Sequence, residues 1–353
     1  MRPRESVVFL TGPLISRERA PQLYSGAVRV RIKRARTIWC CLLIAIVIAI
    51  SNAWGQGQKV VKIGILTDAM VPWHDATTGF RDGLRDLGYV EGKRVIFEVR
   101  AAQGDPSRVS ELYRELMSLK PYLLLCVADA CRRENGDIPM VFVQVGDPIG
   151  QGFVRNIARP GGNITGIANL RGELTEKRLE LFKELVPSLR RVLVTFDPRD
   201  PEELASARSA RSAGAQLGVT VLERPITDRL EMEPGLAELG EGGADGILIV
   251  QAGTNLNIPG RSFEVAFANN IPTMYANSFW AEFGVLATYG PDHYAQGRQA
   301  ARQAEKILTG TPPAEIPVEL AERLNFTINL KAANRLGIKI PPEILVRADR
   351  IIE

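Results

Sequence analysis

Short apolar runs alternate with helical patterns along the chain from residue 60 onward. In the first half, four runs have the continuous apolar character of strands that are buried on both faces. The segments between them place apolar residues at helical spacing, as at Val109, Leu112 and Leu116. Strands that alternate with helices predict a parallel sheet with right-handed crossovers. The four strands are predicted at Val60–Leu66, Val95–Val99, Leu123–Val127 and Met140–Val145.

The same alternation repeats in the second half of the chain. Helical patterns are predicted around residues 175–186, 202–217 and 263–269, with five apolar runs beside or between them. Two successive sets of similar size predict an α/β fold of two Rossmann-like lobes, each with a parallel, doubly wound sheet. The five strands are predicted at Val192–Phe196, Val219–Leu222, Gly246–Val250, Ile271–Tyr275 and Val285–Tyr289.

The C-terminal part is expected to tie the two lobes together. A helix is predicted over Asp292–Thr309 and a further strand over Phe326–Leu330. No low-complexity linker separates the two sets of strands, so we expect several short crossings and a hinge. The first lobe is predicted to comprise 54–168 plus 290–320, and the second 169–289 plus 321–353.

The N-terminus has the pattern of an export signal. Five basic residues between Arg29 and Arg36 precede 13 consecutive apolar residues, Ile38–Ile50, and then Ser51-Asn52-Ala53. A helix of that length spans about 20 Å, less than the ~30 Å hydrocarbon core. We therefore predict that residues 1–53 are an N-terminal extension and signal peptide, removed after Ala53 on export. An uncleaved membrane anchor is the alternative interpretation.

The formal net charge of +4 arises in this N-terminal segment. Residues 1–53 hold nine Lys/Arg and two Glu, which leaves 35 basic and 38 acidic groups, a net of −3, in residues 54–353. A nearly neutral body gives no support for binding nucleic acid.

The chain lacks the common signatures of enzymes and metal sites. It contains no G-x-x-x-x-G-K-[ST], G-x-S-x-G or H-E-x-x-H pattern, and Arg155 stands where a dinucleotide fingerprint needs its third glycine. With only His74 and His293, no zinc-ligand spacing exists. We expect no catalysis, cofactor or metal. Cys126 and Cys131 either form a disulfide, or Cys126 is buried on a strand and Cys131 is a separate surface thiol.

The segment 138–168 contains the most informative turn. A predicted buried strand breaks into Gly146-Asp147-Pro148, and a second turn leads into another apolar run. In open α/β sheets, ligands lie just beyond the carboxyl ends of the strands. Asp147 is therefore either a ligand contact or simply the cap of a tight turn, because Asp and Gly are common turn residues.

These segments resemble the periplasmic substrate-binding proteins of ABC-type importers, in the tryptophan/tyrosine-type branch. The resemblance covers about residues 60–353 and implies a bilobal type I periplasmic-binding-protein fold that closes on a small ligand. It also implies work with ABC permease and ATPase subunits, and we expect a monomer in solution. The segments that carry it are GFRDGLRDLGYVEGKRVIFEVRAAQGD (79–105), IPMVFVQVGDPIGQGFVRNIARPGGNITGIA (138–168), LATYGPDHYAQGRQAARQAEKILTGTPPAEIPVE (286–319) and NFTINLKAANRLGIKIPPEIL (325–345).

Better-known members of this family bind aromatic amino acids, which need an anionic partner, hydrogen-bond donors and an apolar wall. The acidic candidates at predicted strand ends are Asp68, Asp129 and Asp147. The hydroxyl and amide candidates are Thr67, Thr254, Ser278, Asn255 and Asn277, and the aromatic candidates are Trp73, Tyr275, Trp280 and Tyr289. His74 is expected to be a solvent-exposed loop residue, with a ligand donor as the alternative. We give Asp147 and Tyr289 the greatest weight.

Residues 129–136 depart from the family pattern. Members usually carry a longer loop here, beginning with small and hydroxyl residues, whereas this chain has a short charged one. The ligand class therefore stays open. The predicted function is that of an extracytoplasmic solute-binding component of an ABC transporter. The alternative is an extracytoplasmic sensor that presents its ligand-bound state to a membrane signalling protein.

Overall fold

The computed structural model describes residues 60–353, except 70, 128–136, 170, 228–230, 232, 233, 235, 238–242 and 251–257. The chain divides into two compact units, Met1–Lys59 and Val60–Glu353, and the fold below is that of the second unit. The predicted signal segment lies outside the described residues. Within the part that is described, no helix is both long enough and apolar enough to cross a membrane.

Strands and helices alternate through most of the described chain. The strands are β1 Val61–Thr67, β2 Val95–Ala101, β3 Leu123–Val127, β4 Met140–Val145, β5 Ile164–Ala168, β6 Arg191–Phe196, β7 Thr220–Pro225, β8 Gly246–Leu248, β9 Thr273–Tyr275, β10 Ala287–Pro291, β11 Glu319–Leu320, β12 Leu324–Asn329 and β13 Arg350–Ile352. The α-helices are α1 Asp75–Asp86, α2 Val109–Ser118, α3 Arg171–Leu185, α4 Pro201–Leu217, α5 Ile258–Ala268, α6 His293–Leu308, α7 Leu330–Arg335 and α8 Pro342–Leu345.

The strands form two sheets. The first has the order β11-β5-β4-β3-β1-β2, and all its pairs are parallel. The second has the order β13-β12-β10-β9-β8-β6-β7, in which only β10 and β12 pair antiparallel. The prediction of an α/β fold with two doubly wound sheets is therefore confirmed, apart from this one antiparallel pair.

Each sheet is buried on both faces, which explains the continuous apolar runs. In β3, Leu123, Leu125 and Val127 pack into one cluster of buried side chains. Leu124 and Cys126 point to the opposite face and pack into another. Successive residues of a strand face opposite sides of the sheet, so a strand covered by helices on both sides needs apolar residues throughout.

Helices α1 and α6 pack against one another with their backbones almost in contact. A Cβ on Gly297 would lie 2.0 Å from the carbonyl oxygen of Ala76. A Cβ on Gly79 would lie 2.1 Å from the carbonyl oxygen of Tyr294. Only glycine at both positions permits this approach. Separately, α6 packs with β4 and β5 of the first sheet in one cluster of buried side chains.

The chain passes between the two sheets after β5, after β10 and after β11. Buried glutamines of α6 hold the residues next to these crossings. Gln296 Nε2 donates to Asn169 Oδ1 at 2.5 Å, and Gln299 Nε2 donates to the carbonyl oxygen of Leu320 at 2.8 Å. The short crossings agree with the absence of a low-complexity linker in the sequence.

Candidate functional site

The first sheet presents a hydrogen-bonded pair, Thr67 and His74, where β1 ends. Thr67 is fully buried, and its Oγ1 lies 3.1 Å from His74 Nε2 and accepts the N–H of Ala69 at 3.1 Å. His74 is the N-cap residue of α1, and the Thr77 hydroxyl accepts the His74 N–H at 2.9 Å. Because His74 is half-buried, the expectation of an exposed loop histidine is wrong. Burial lowers the pKa of His74, and the nearby charge of Asp75 opposes that shift.

Two other candidates lie close to this strand end. Asp68 is half-buried directly after β1, and its carbonyl oxygen accepts the N–H of Gly104 at 2.8 Å. Trp73 is 36% exposed, with its ring edge-on to Phe97 at a centroid distance of 6.1 Å. The guanidinium of Arg81 lies 4.6 Å from the Trp73 ring centroid. Trp73 thus packs against β2 of the first sheet and against α1.

The end of β4 is distorted before it reaches Asp147. Gln144 has a φ of +65°, and the pairing of β4 with β5 shifts register between Phe142 and Val145. Such a bulge bends a strand and re-aims the residues that follow. Asp147 is exposed, and its Oδ1 accepts the N–H of Gly150 at 2.8 Å. The carboxylate therefore caps its own turn while remaining accessible at the end of the strand.

A carboxylate from the second sheet's side reaches this same turn. Glu202 lies in the first turn of α4, which Asp200 caps by accepting the Glu202 N–H at 2.8 Å. Glu202 Oε1 accepts the backbone N–H of Gly146 at 3.1 Å and that of Asp147 at 2.8 Å. It also accepts the side-chain N–H of Gln151. Glu202 is only 6% exposed, so the carboxylate that makes this contact between the two sides is itself buried.

The candidates after β9 lie in and beside an aromatic cluster. Tyr275 is 1% exposed, and its ring centroid lies 5.5 Å from that of Trp280. Burial raises the pKa of Tyr275 well above its ordinary value. Ser278 is half-buried at the start of a 3₁₀ helix, Ser278–Phe283, which Asn277 caps by accepting the Phe279 N–H at 2.9 Å.

Tyr289 is half-buried in β10, next to the crossing into α6. Its ring packs edge-on against Phe326 at a centroid distance of 6.2 Å. Its carbonyl oxygen accepts a hydrogen bond from Nε of Arg178 at 3.0 Å, and Arg178 is 1% exposed. Burial raises the pKa of Tyr289, partly offset by the positive charges of Lys177 and Arg178.

Three candidates, Asp129, Thr254 and Asn255, lie outside the described residues. Cys126 is buried and disulfide-bonded, and the other three cysteines of the chain also lie outside the described part. Among the residues that are described, no group of three or more His, Cys, Asp or Glu side chains could hold a metal ion.

The geometry is that of two mostly parallel sheets whose strand ends meet across a polar contact. Comparison with known proteins identifies the family. Residues 63–352 match the family model described as ABC transporter substrate binding protein. The chain belongs to this family. Members bind a substrate for an ABC transporter, which is a non-enzymatic role.

Relatives of this substrate-binding protein agree with that assignment. A curated "Tyrosine-binding protein" of Clostridioides difficile is 26% identical over 285 residues, covering 79% of this chain and 81% of the relative. A conserved domain protein from Vibrio cholerae is 27% identical with a TM-score of 0.75, covering 83% of this chain and 100% of the relative. An ABC domain from Streptococcus pneumoniae, solved in complex with L-Trp, is 23% identical with a TM-score of 0.74. This comparison covers 83% of the substrate-binding protein and all of that domain, and both structures share its fold.

Sequence reasoning missed two buried charged residues of this substrate-binding protein that contact the backbone at the candidates Asp147 and Tyr289. Glu202 follows Pro201 and reads as an ordinary acidic residue in the first turn of a helix, a position that favours negative charge. Arg178 reads as a charged residue on a helix, yet it is buried and donates to the backbone at Tyr289. The only available signal was the placement of charged residues inside otherwise apolar helical faces.

Proposed function

We propose that this protein captures an aromatic amino acid in the periplasm and delivers it to the permease and ATPase of an ABC importer. The ligand would lie between the carboxyl ends of the two sheets. The lobes, residues 54–168 plus 290–320 and residues 169–289 plus 321–353, would close on it about the crossings after β5, β10 and β11. The protein would act as a monomer.

The observation that carries this proposal is the buried contact of Glu202 with the Gly146–Asp147 turn. It joins the carboxyl end of β4 to the helix that follows β6, so the carboxyl ends of these two strands face each other, and ligands of α/β sheets lie at such ends. Clefts between two such edges are where α/β proteins of this kind bind small molecules.

The ligand class rests on relatives and on chemistry at these strand ends. The printed names of two relatives specify tyrosine and L-Trp. In this chain, the exposed carboxylate of Asp147 would pair with the ligand ammonium, and Tyr289 would supply the apolar wall. Hydroxyl and amide groups would hold the ligand carboxylate. The further proposed contacts are Thr67, Asp68, Trp73, Asp129, Thr254, Asn255, Tyr275 and Ser278.

A thermal-shift screen of the mature protein tests the ligand class. L-Tryptophan, L-tyrosine and L-phenylalanine are compared with the other amino acids, small carboxylates and sugars. A ligand at 100 times its Kd adds about 2.7 kcal/mol to the free energy of unfolding, which raises the melting temperature measurably. The proposal fails if another class of compound stabilises the protein and the aromatic amino acids do not.

Two further measurements test delivery and export. Cells that lack the protein should lose high-affinity uptake of the labelled ligand, whereas a sensor would leave uptake intact and change gene expression. Mass spectrometry of periplasmic protein should show a mature N-terminus just after Ala53. An intact N-terminus in that fraction contradicts cleavage of a signal peptide.

A further inference from the structure

The contact of Glu202 with the 146–151 turn differs from an ordinary surface hydrogen bond. The acceptor comes from the side of the second sheet, whereas the backbone N–H groups of Gly146 and Asp147 belong to the first. The side chain of Gln151 adds a third donor to the same oxygen. Glu202 and Gln151 are 6% and 9% exposed, so the acceptor and its side-chain donor are shielded from water, while the two backbone hydrogen bonds are partly buried.

The chain around Glu202 is built to hold this arrangement. Asp200 caps α4, accepting the N–H of Glu202 at 2.8 Å and that of Glu203 at 3.2 Å. On the opposite side, the bulge at Gln144 turns the end of β4 so that two successive N–H groups reach one oxygen. Gln144 adopts a left-handed backbone conformation that is costly for a residue other than glycine.

We propose that Glu202 is a positioning residue that clasps the two lobes together, so that closure does not depend on the ligand alone. A carboxylate that accepts several N–H groups in a buried site forms strong, charge-assisted hydrogen bonds. This inference rests on the proposed function and extends it, because the Glu202 contact would determine what fraction of the protein is closed before the ligand binds. A partly closed population lowers the conformational cost that the ligand would otherwise meet.

Distance measurements between the lobes test the clasp without any ligand. Nitroxide labels at Ser110→Cys on α2 and Ser212→Cys on α4 occupy exposed helical positions on the two sides. Double electron–electron resonance on the extensively dialysed protein should give one dominant, short distance. Glu202→Ala should shift the ratio of open to closed protein by about ten- to a hundredfold, the range for loss of a buried charge-assisted hydrogen bond.

Glu203→Ala is the matched control. Glu203 is adjacent, 1% exposed, and accepts a backbone N–H, that of Asp197 at 2.7 Å, but this bond stays on the side of the second sheet. The Glu203→Ala variant should have a lower melting temperature and an unchanged inter-lobe distance. Gln151→Ala removes one donor from the opposite side and should shift the distance in the same direction as Glu202→Ala, by a smaller factor.

Three results would overturn the clasp. They are a long distance that already dominates the wild-type protein, no shift in Glu202→Ala, or an equal shift in Glu203→Ala. If Glu202→Ala does not fold, Gln151→Ala decides alone, and an unchanged distance in that variant rejects the proposal. Failure of the ligand screen leaves these distances interpretable, so the two proposals fail separately.

Discussion

Asp147 folds its carboxylate over Gly150 so closely that a Cβ on Gly150 would lie 2.1 Å from Asp147 Oδ2. The same carboxylate accepts the Gly150 N–H through Oδ1 at 2.8 Å. The absence of a side chain at Gly150 is therefore what allows Asp147 to cap its turn. The same turn also presents the backbone N–H groups that donate hydrogen bonds to Glu202.

Gly150→Ala should displace the Asp147 carboxylate from this cap. The added Cβ collides with the end of a side chain and not with backbone, so the expected loss in free energy of unfolding is about 1 kcal/mol, the value of one capping hydrogen bond. Chemical denaturation measures it. In an Asp147→Ala background the same change should cost almost nothing, because the colliding group is absent. A full cost in both backgrounds contradicts this explanation.

His74 should make the protein less stable in mildly acidic solution. Burial lowers the pKa of His74 in the folded protein below the value of 6.5 in the unfolded chain. The unfolded state therefore binds more protons, and the free energy of unfolding falls as the pH drops below about 6.5, down to the folded pKa. Melting temperatures between pH 7.5 and pH 5 measure this loss.

His74→Asn is the matched variant for that measurement, because asparagine is also favoured at the start of a helix. It should flatten the dependence of the melting temperature on pH below 6.5 while keeping the cap of α1. An unchanged pH profile in this variant assigns the loss of stability to other groups.

The regular elements could be predicted because their cause is local. The runs in β3 and β4 are apolar throughout since both faces of the sheet are covered, and both strands have the predicted bounds. β11 and β13 were missed because Glu319–Leu320 and Arg350–Ile352 do not lie in a continuous apolar run, whereas β8 and β9, with three residues each, do. The antiparallel pairing of β12 with β10 depends on how the chain returns after β11, which no local pattern records.

The site was less predictable than the fold because its contacts join distant parts of the sequence. The strand ends near Thr67 and Asp147 followed from the apolar runs, since ligands lie at the carboxyl ends of parallel strands. The contact of Glu202 with the Asp147 turn could not be predicted in this way, because Glu202 lies 55 residues further along the chain. The positive φ of Gln144 has no signature either, since that backbone conformation normally indicates glycine or asparagine.

Arg178 should be important for stability although it is charged. It is 1% exposed, donates through Nε to the carbonyl oxygen of Tyr289 at 3.0 Å, and through a terminal nitrogen to Thr175 Oγ1 at 3.2 Å. Arg178→Lys keeps the charge but cannot reproduce this planar pair of donors. We expect a loss of about 1–3 kcal/mol in the free energy of unfolding, measured by urea denaturation. Arg208→Lys, at an exposed position of α4, should change it by less than about 0.5 kcal/mol.

Asp147→Asn separates the two roles proposed for this residue. Asparagine keeps an oxygen that can accept the Gly150 N–H, so the turn cap and the melting temperature should be nearly unchanged. It removes the negative charge that would pair with the ligand ammonium, and loss of such a bond costs roughly 1.5–3 kcal/mol, or about ten- to a hundredfold in affinity. Calorimetric titration with the amino acid that the screen returns measures this change.

Asp245→Asn is the control, because Asp245 lies before β8 at the opposite end of its strand and accepts the backbone N–H of Arg191 at 2.7 Å. It should lower stability and leave affinity intact. If Asp147→Asn behaves in the same way as Asp245→Asn, Asp147 is a turn cap alone and the ligand ammonium pairs with another carboxylate.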